Sequence, residues 1–204
     1  MSRTIAVTGG TGFVGAAVID ELLNCGDRVV ALARNPARLK NARDVDLIQG
    51  DLADEDALAA LASGVDALIH CAGLVKARRE EEFFKVNVEG ARHVAAAAAK
   101  AGAKFVHVSS MAARRPDLSA YAASKRASET AIAEASGRNP WIALRLPAIY
   151  GPGDQATLPY FWLVKSGLAP EPAARPEPRA SILYVGDVAK AILAATDEAE
   201  AGRI

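Results

Sequence analysis

The feature that most constrains this chain is a glycine-rich turn, Val7-Thr8-Gly9-Gly10-Thr11-Gly12-Phe13-Val14-Gly15, set between a short apolar run and a helical pattern. Gly10, Gly12 and Gly15 fit G-x-G-x-x-G, and Gly9, Gly12 and Gly15 fit G-x-x-G-x-x-G. Both spacings answer one physical demand. A tight turn needs positive φ, and a pyrophosphate must approach bare N–H groups at a helix N-terminus. A side chain at Gly12 would block that approach, and Gly15 lets the helix pack on the sheet. In a strand–turn–helix context the pattern predicts a dinucleotide site at Gly9, Gly12, Phe13, Val14 and Gly15.

The rest of the chain repeats the same alternation. Strands are expected at 4–8, 28–33, 45–49, 67–71, 104–109 and 141–145, and helices at 12–25, 36–41, 55–62, 80–101 and 119–136. The runs IAVT, VVAL, ALIH and FVHV are apolar throughout, as strands buried on two faces are. With right-handed crossovers this gives an α/β fold: a Rossmann-type, doubly wound parallel sheet flanked by helices. After Leu146 prolines and glycines crowd the chain, followed by a helix at 158–166, a proline-rich stretch at 170–178, a strand at 182–185 and a helix at 188–195. The proline-rich stretch reads equally as a stiff loop over a pocket or a solvated connection. Residues 1–146 are therefore expected to form the dinucleotide-binding core. Residues 147–204 are expected to form a partial substrate-side region packed on the same domain.

Composition excludes some functions. The 24 basic and 24 acidic residues cancel, so nothing draws the whole chain toward nucleic acid or an anionic membrane. The N-terminus has no long apolar h-region, and no run of about 18 apolar residues exists, so a cytoplasmic protein without a membrane span is expected. Cys25 and Cys71 read as buried reduced thiols, and His70 and His107 as packed core histidines. No Cys/His spacing suits a metal.

The second strand ends Ala31-Leu32-Ala33-Arg34, without the acid that would bind a ribose 2′-hydroxyl. Arg34 can pair with a 2′-phosphate, with Arg38 helping one turn later, so NADP(H) is favoured over NAD(H). Asp51, beside Leu52, either accepts from the adenine amino group or caps the next helix. Cys71, Ala72 and Gly73 follow the fourth strand, where small residues let backbone run close to a cofactor.

Tyr121 and Lys125 stand four residues apart on a predicted helix, so they share one face. A cation beside a phenol favours phenolate, which suits proton exchange with an alcohol or carbonyl near neutral pH. Ser110, just past the fifth strand, can hydrogen-bond the same substrate oxygen.

Together the stretches TGGTGFVG, GDL at Gly50, IHCAG at Ile69, NVEG at Asn87, VHVSS at Val106, YAASK at Tyr121 and RLPAIYGPGD at Arg145 span nearly the whole chain. In this set and order the chain resembles the extended or atypical short-chain dehydrogenase/reductases, the NAD(P)-dependent epimerase/dehydratase family. The resemblance implies that Tyr121 is the acid/base and Ser110 the substrate-oxygen donor. It implies that Lys125 holds the nicotinamide ribose and tunes Tyr121. Asn87 would lie near the cofactor, and Pro147 and Ile149 would border the nicotinamide. It implies a small-molecule substrate and is compatible with a homodimer through two long helices. The expected activity is hydride transfer between NADP(H) and a carbonyl or secondary alcohol. The alternatives are a nucleotide-sugar epimerase with tightly bound NAD(P), and a non-catalytic NADP-binding sensor or assembly protein. Ser110 is followed by Met111-Ala112-Ala113-Arg114-Arg115-Pro116, with eleven positions from Ser110 to Tyr121. Nucleotide-sugar enzymes of this family have a longer insertion, or acidic residues beside the Ser/Thr, so these residues weigh against sugar chemistry. Arg114 and Arg115 read as solvated loop cations ahead of contacts to an anionic substrate. Because relatives continue past Tyr184–Val188, a truncated or partial chain is expected.

Overall fold

The computed structural model describes residues 2–168, 180–198 and 202–204. Six parallel strands form the main sheet in the order β3-β2-β1-β4-β5-β6. They are β1 (Thr4–Thr8), β2 (Arg28–Ala33), β3 (Asp46–Gln49), β4 (Ala67–His70), β5 (Lys104–Ser110) and β6 (Trp141–Leu146). The order reverses between β1 and β4, and ligands of such sheets bind outside the carboxyl ends of the strands at that point. The glycine turn leaves β1 there.

Helices cover both faces, as apolar strands require. On one side α1 (Phe13–Asn24) and α7 (Val185–Glu198) bury Val18, Ile19, Leu22, Val188 and Ile192 against Ile5, Val7, Ile69 and Val106. On the other, α2 (Glu55–Ala62), α4 (Gly90–Ala101) and α5 (Ala120–Ser136) bury Leu58, Leu61, Val94, Ala95, Ala98 and Ile132 against Ala6, Leu68 and Phe105. Each fully buried Leu or Ile contributes about 1.5–3 kcal/mol. Local chemistry sets the ends. Asp54 Oδ1 accepts from Ala57 N–H and Ser119 Oγ from Ala122 N–H, starting α2 and α5. Gly102, at φ +72°, stops α4.

Four departures from the sequence reading have physical causes. The helix expected at 80–101 is broken into α3 (Glu80–Phe83), a π-helical turn (Phe84–Glu89) and α4. The helix expected at 36–41 shrinks to a 3-10 turn, Pro36–Arg38, because Leu39 turns extended and buries itself instead. The segment after Leu146 holds an unforeseen strand, β7 (Ala148–Tyr150), which pairs in parallel with β8 (Ile182–Tyr184). Cys25 is exposed, since it caps the C-terminus of α1 beside the surface glycine Gly26. The proline-rich stretch at 170–178 lies outside the described residues.

The region after Leu146 does two jobs. Its α7 completes the core alongside α1. Its α6 (Leu158–Lys165) is apolar yet turns Leu158, Tyr160, Phe161, Trp162 and Leu163 to the outside. Among the described residues no helix is long and apolar enough to cross a membrane.

Candidate active site

A cleft of about 590 Å³ opens at the carboxyl ends of β1, β4, β5 and β6. The glycine turn forms one wall. Gly9 adopts φ +78°, and a Cβ there would stand 2.5 Å from Ala72 N. A Cβ on Gly15 would stand 2.2 Å from Gly9 O, so α1 rests directly on the turn. At Gly12, the N-cap of α1, the neighbour within reach of a Cβ is Gly9 O, at 3.2 Å. The space beyond it is the cleft. Unobstructed backbone at the N-terminus of a twelve-residue helix is a cradle that fits a pyrophosphate.

The cleft gathers most of the residues singled out from sequence. Gly9, Gly12, Phe13, Val14, Gly15, Cys71, Ala72, Gly73, Ser110, Tyr121, Lys125, Pro147 and Ile149 all line it. Others stand apart. Arg34 is exposed outside the wall, whereas Arg38 lines the cleft. The cause is local: Asn35 Oδ1 accepts from Ala37 N–H to start the 3-10 turn. Leu39 then packs over Gly10, and Arg38 just before it joins the cleft lining. Asp51 turns Oδ1 onto Ala53 N–H, 2.8 Å away, and Leu52 packs against Gly90. Neither lines the cleft. Asp54, not Asp51, caps α2.

Asn87 is buried behind the wall rather than in it. Its Oδ1 accepts from Leu74 N–H at 2.7 Å, and its Nδ2 donates to Leu74 O and Ser124 Oγ, both at 3.0 Å. Every polar atom of the amide is thus used to tie the Gly73–Leu74 backbone to α5. The π-helical turn, with its wider winding, carries this residue into that bridge.

At the chemical end Tyr121 and Lys125 sit one turn apart on α5, and the Tyr121 ring leans on Phe83 at 6.0 Å. Ser110 Oγ accepts from Ala112 N–H at 3.2 Å, which leaves its proton free for a ligand in the cleft. Lys125 Nζ donates to Val108 O at 2.8 Å and lies 3.3 Å from His107 Nε2. Burial pushes the ammonium down to about 8, and the nearby Glu129 opposes that shift. The lysine therefore keeps its charge at neutral pH and loses it in mildly alkaline solution.

Sequence reasoning missed two parts of this region and read His70 and His107 as the packed core residues they are. Thr11, Leu74 and Val75 extend the wall, and the loop after β7 adds Gly153, Asp154, Gln155 and Ala156. Glu129, 2% exposed, pairs with Arg145 at 2.6 Å and accepts from Ser109 Oγ at 2.6 Å, clamping α5 to β5 and β6 beside Ser110. His70 and His107 stack with centroids 5.4 Å apart beneath the lysine. Arg115 is occupied by Asp117, which it meets at 2.9 Å. No cluster of His, Cys, Asp and Glu suited to a metal occurs among the described residues.

Known proteins resemble this chain in sequence and in fold. Residues 5–204 match the model of the NAD dependent epimerase/dehydratase family. A ceramide reductase of Caulobacter vibrioides is 43% identical over 192 residues, 93% of this chain and 60% of the relative. A 3 beta-hydroxysteroid dehydrogenase/Delta 5-->4-isomerase of Mycobacterium tuberculosis is 36% identical over 115 residues, 52% of this chain and 31% of that protein. The chain thus spans less than two thirds of these relatives' lengths. Among solved structures, the Bordetella bronchiseptica enzyme WbmH in complex with NAD+ superposes with TM-score 0.80 at 25% identity, covering 100% of this chain and 75% of that one. MoeE5 in complex with UDP-glucose and NAD gives TM-score 0.80 at 25% identity, covering 98% and 74% respectively.

Proposed function

This chain belongs to the NAD dependent epimerase/dehydratase family, and on that premise we propose that it transfers a hydride between NADP(H) and a carbonyl or secondary-alcohol carbon of an apolar, lipid-like substrate. One observation carries the reading: Ser110, Tyr121 and Lys125 line the same cleft as the glycine cradle. A nicotinamide dinucleotide held there supplies or accepts the hydride.

The protein's own groups do the rest. In the reducing direction Tyr121 Oη gives its proton to the carbonyl oxygen as that oxygen gains charge, and Ser110 donates a hydrogen bond to the same atom. The product is the alcohol, and the phenolate left behind is stabilised by the Lys125 ammonium until solvent returns a proton. In the oxidising direction the same phenolate accepts the hydroxyl proton. The Gly9–Gly15 backbone and the α1 N-terminus receive the pyrophosphate. Arg38, with Arg34 behind it, favours a 2′-phosphate and hence NADP(H).

Two facts support an apolar substrate. The ceramide reductase matches over nearly all of this chain. A second cavity, about 260 Å³ and lined by Tyr150, Leu158 and Phe161, adjoins the cleft through Asp154. The structural neighbour bound to UDP-glucose favours sugar chemistry instead, but the short Ser110–Tyr121 connection lacks the longer insertion expected of nucleotide-sugar enzymes. The test is NADPH consumption with a long-chain ketone and, separately, conversion of UDP-glucose. We expect turnover of the ketone, reduced about a hundredfold or more in Tyr121→Phe. Ketone turnover unchanged in Tyr121→Phe, or conversion of UDP-glucose alone, would overturn the reading.

A further inference from the structure

The proton-transfer scheme uses Tyr121, Ser110 and Lys125 and leaves the buried titratable groups beneath them without a task, among them the one in direct contact with Lys125. His107 projects from β5 and is fully buried. Its Nε2 faces Lys125 Nζ at 3.3 Å and Ser128 Oγ at 3.2 Å, while Nδ1 has no hydrogen-bond partner. A buried imidazole with one empty nitrogen is costly, and the contact made by its other nitrogen must offset that cost.

The two nitrogens are not equivalent toward an ammonium. Lys125 Nζ is a donor with three protons and no lone pair while charged. One proton goes to Val108 O. A protonated Nε2 would aim a second donor at the ammonium, whereas a bare Nε2 accepts from it. The charge on Lys125 therefore selects the His107 form with its hydrogen on Nδ1, although that hydrogen finds no acceptor. With the second proton placed on Nε2, the third is left for the cleft that Lys125 lines.

We propose that His107 is the positioning residue for Lys125: its bare Nε2 accepts one ammonium proton, keeps the lysine charged although buried, and leaves the remaining N–H aimed into the cleft. The inference rests on the functional reading above for its purpose, but the contact itself is independent of any substrate. The other groups facing Lys125 are accounted for. On its own helix Tyr121 lies one turn before it and Glu129 one turn after, the latter paired with Arg145 of β6. From β4 come His70 and, just beyond, Cys71. Burial pushes the Cys71 thiol up to about 12 and His70 down to about 3, so both are neutral over the working range. Burial likewise holds His107 well below its ordinary value, and the Lys125 charge adds to the effect. His107 is thus neutral and free to accept. Glu129 favours the ammonium by charge, but Arg145 and Ser109 occupy its oxygens. His107 is the side-chain acceptor in direct contact with Nζ.

The experiment has two arms. Nitrogen-15 NMR of the ring in the wild-type protein at neutral pH reads which nitrogen carries the proton. We expect Nδ1–H with Nε2 bare, and in Lys125→Met a switch to Nε2–H, now donating to Ser128 Oγ. Nε2–H in the wild type, or a ring unchanged by Lys125→Met, would overturn the proposal whether or not any ketone is a substrate. In the second arm NADPH affinity is followed by fluorescence into alkaline solution. The pH at which affinity falls should drop by about one unit in His107→Leu, the size of a hydrogen bond to a charged group, and return in His107→Gln, whose Oε1 can stand in for Nε2. A wild-type midpoint in His107→Leu would reduce the histidine to packing. Should that variant not fold, the ring measurement on the wild type still decides.

Discussion

Arg34 and Arg38 show how a few residues of chain direction decide a contact. Sequence placed Arg34 at the end of β2, where the ribose is read, with Arg38 as a helper. In the structure it is Arg38 that lines the cleft and Arg34 that stands outside it, with Leu39 packed over Gly10 after the 3-10 turn. Replacing Arg38 with Asp should therefore weaken NADPH binding about ten- to a hundredfold, the loss of one charge-assisted contact. NADH binding should change far less, and Arg34→Asp should do less than Arg38→Asp. Titration of both variants with both nucleotides checks it, and equal losses for NADPH and NADH at Arg38 would remove the 2′-phosphate assignment. Tyr121 and Lys125 needed no such correction. A spacing of four on a helix is geometry, and only the helix itself had to be right.

At the scale of elements, the strands were legible because four of them are apolar without interruption, and a strand buried on both faces has few other ways to satisfy its side chains. Two things were not legible. The π-helical turn at Phe84–Glu89 lies in a sequence that reads as ordinary helix, and its reason is tertiary: Asn87 must reach Leu74 and Ser124 together. β7 is three residues between Pro147 and Gly151, too short for periodicity, and exists because β8 returns to pair with it. The clamp between α5 and β6 was equally hidden, since nothing in the sequence pairs Glu129, within the helix expected at 119–136, with Arg145, at the end of the strand expected at 141–145. In the structure Glu129 is nearly enclosed, and removing its partner strands a buried charge. Arg145→Met should cost about 3 kcal/mol or more. Arg126→Met, which loses an outlying contact at 3.7 Å from an exposed side chain, should cost less than about 1 kcal/mol. Urea unfolding of the two variants compares them directly, and similar losses would mean that Glu129 is not stabilised by Arg145.

The whole molecule carries its buried imidazoles as an acid liability. His70 bonds Thr8 Oγ1 at 2.7 Å but leaves Nε2 unpaired, and burial pushes it down to about 3 from an ordinary value of 6.5. His107 is lowered by the same cause. An unfolded chain takes up these protons as pH falls through 6.5, and the folded one refuses them, so protonation draws the equilibrium toward unfolding. Stability from these two groups is therefore full above 6.5 and declines below it, by about 1.4 kcal/mol per pH unit for each histidine. Lys125 acts in another window. Its ammonium survives to 10.5 in the unfolded chain but only to about 8 in the folded one, so its burial penalty is relieved as pH rises between those values. Urea midpoints taken from neutral solution down to about pH 5 should fall, and His70→Gln should flatten the slope by roughly half. A slope unaltered by His70→Gln would show that the imidazole titrates freely.

The contact between Gly9 and Ala72 has a kinetic corollary. Backbone touches backbone there, and α1 rests on the same turn through Gly15, so the shape that a diphosphate meets is fixed by neighbours already in place. Ordering costs that other binding loops incur on association are here met once, when the chain folds. Capture of the nucleotide should consequently proceed in a single phase whose rate scales linearly with concentration, set by encounter and charge rather than by a loop waiting to close.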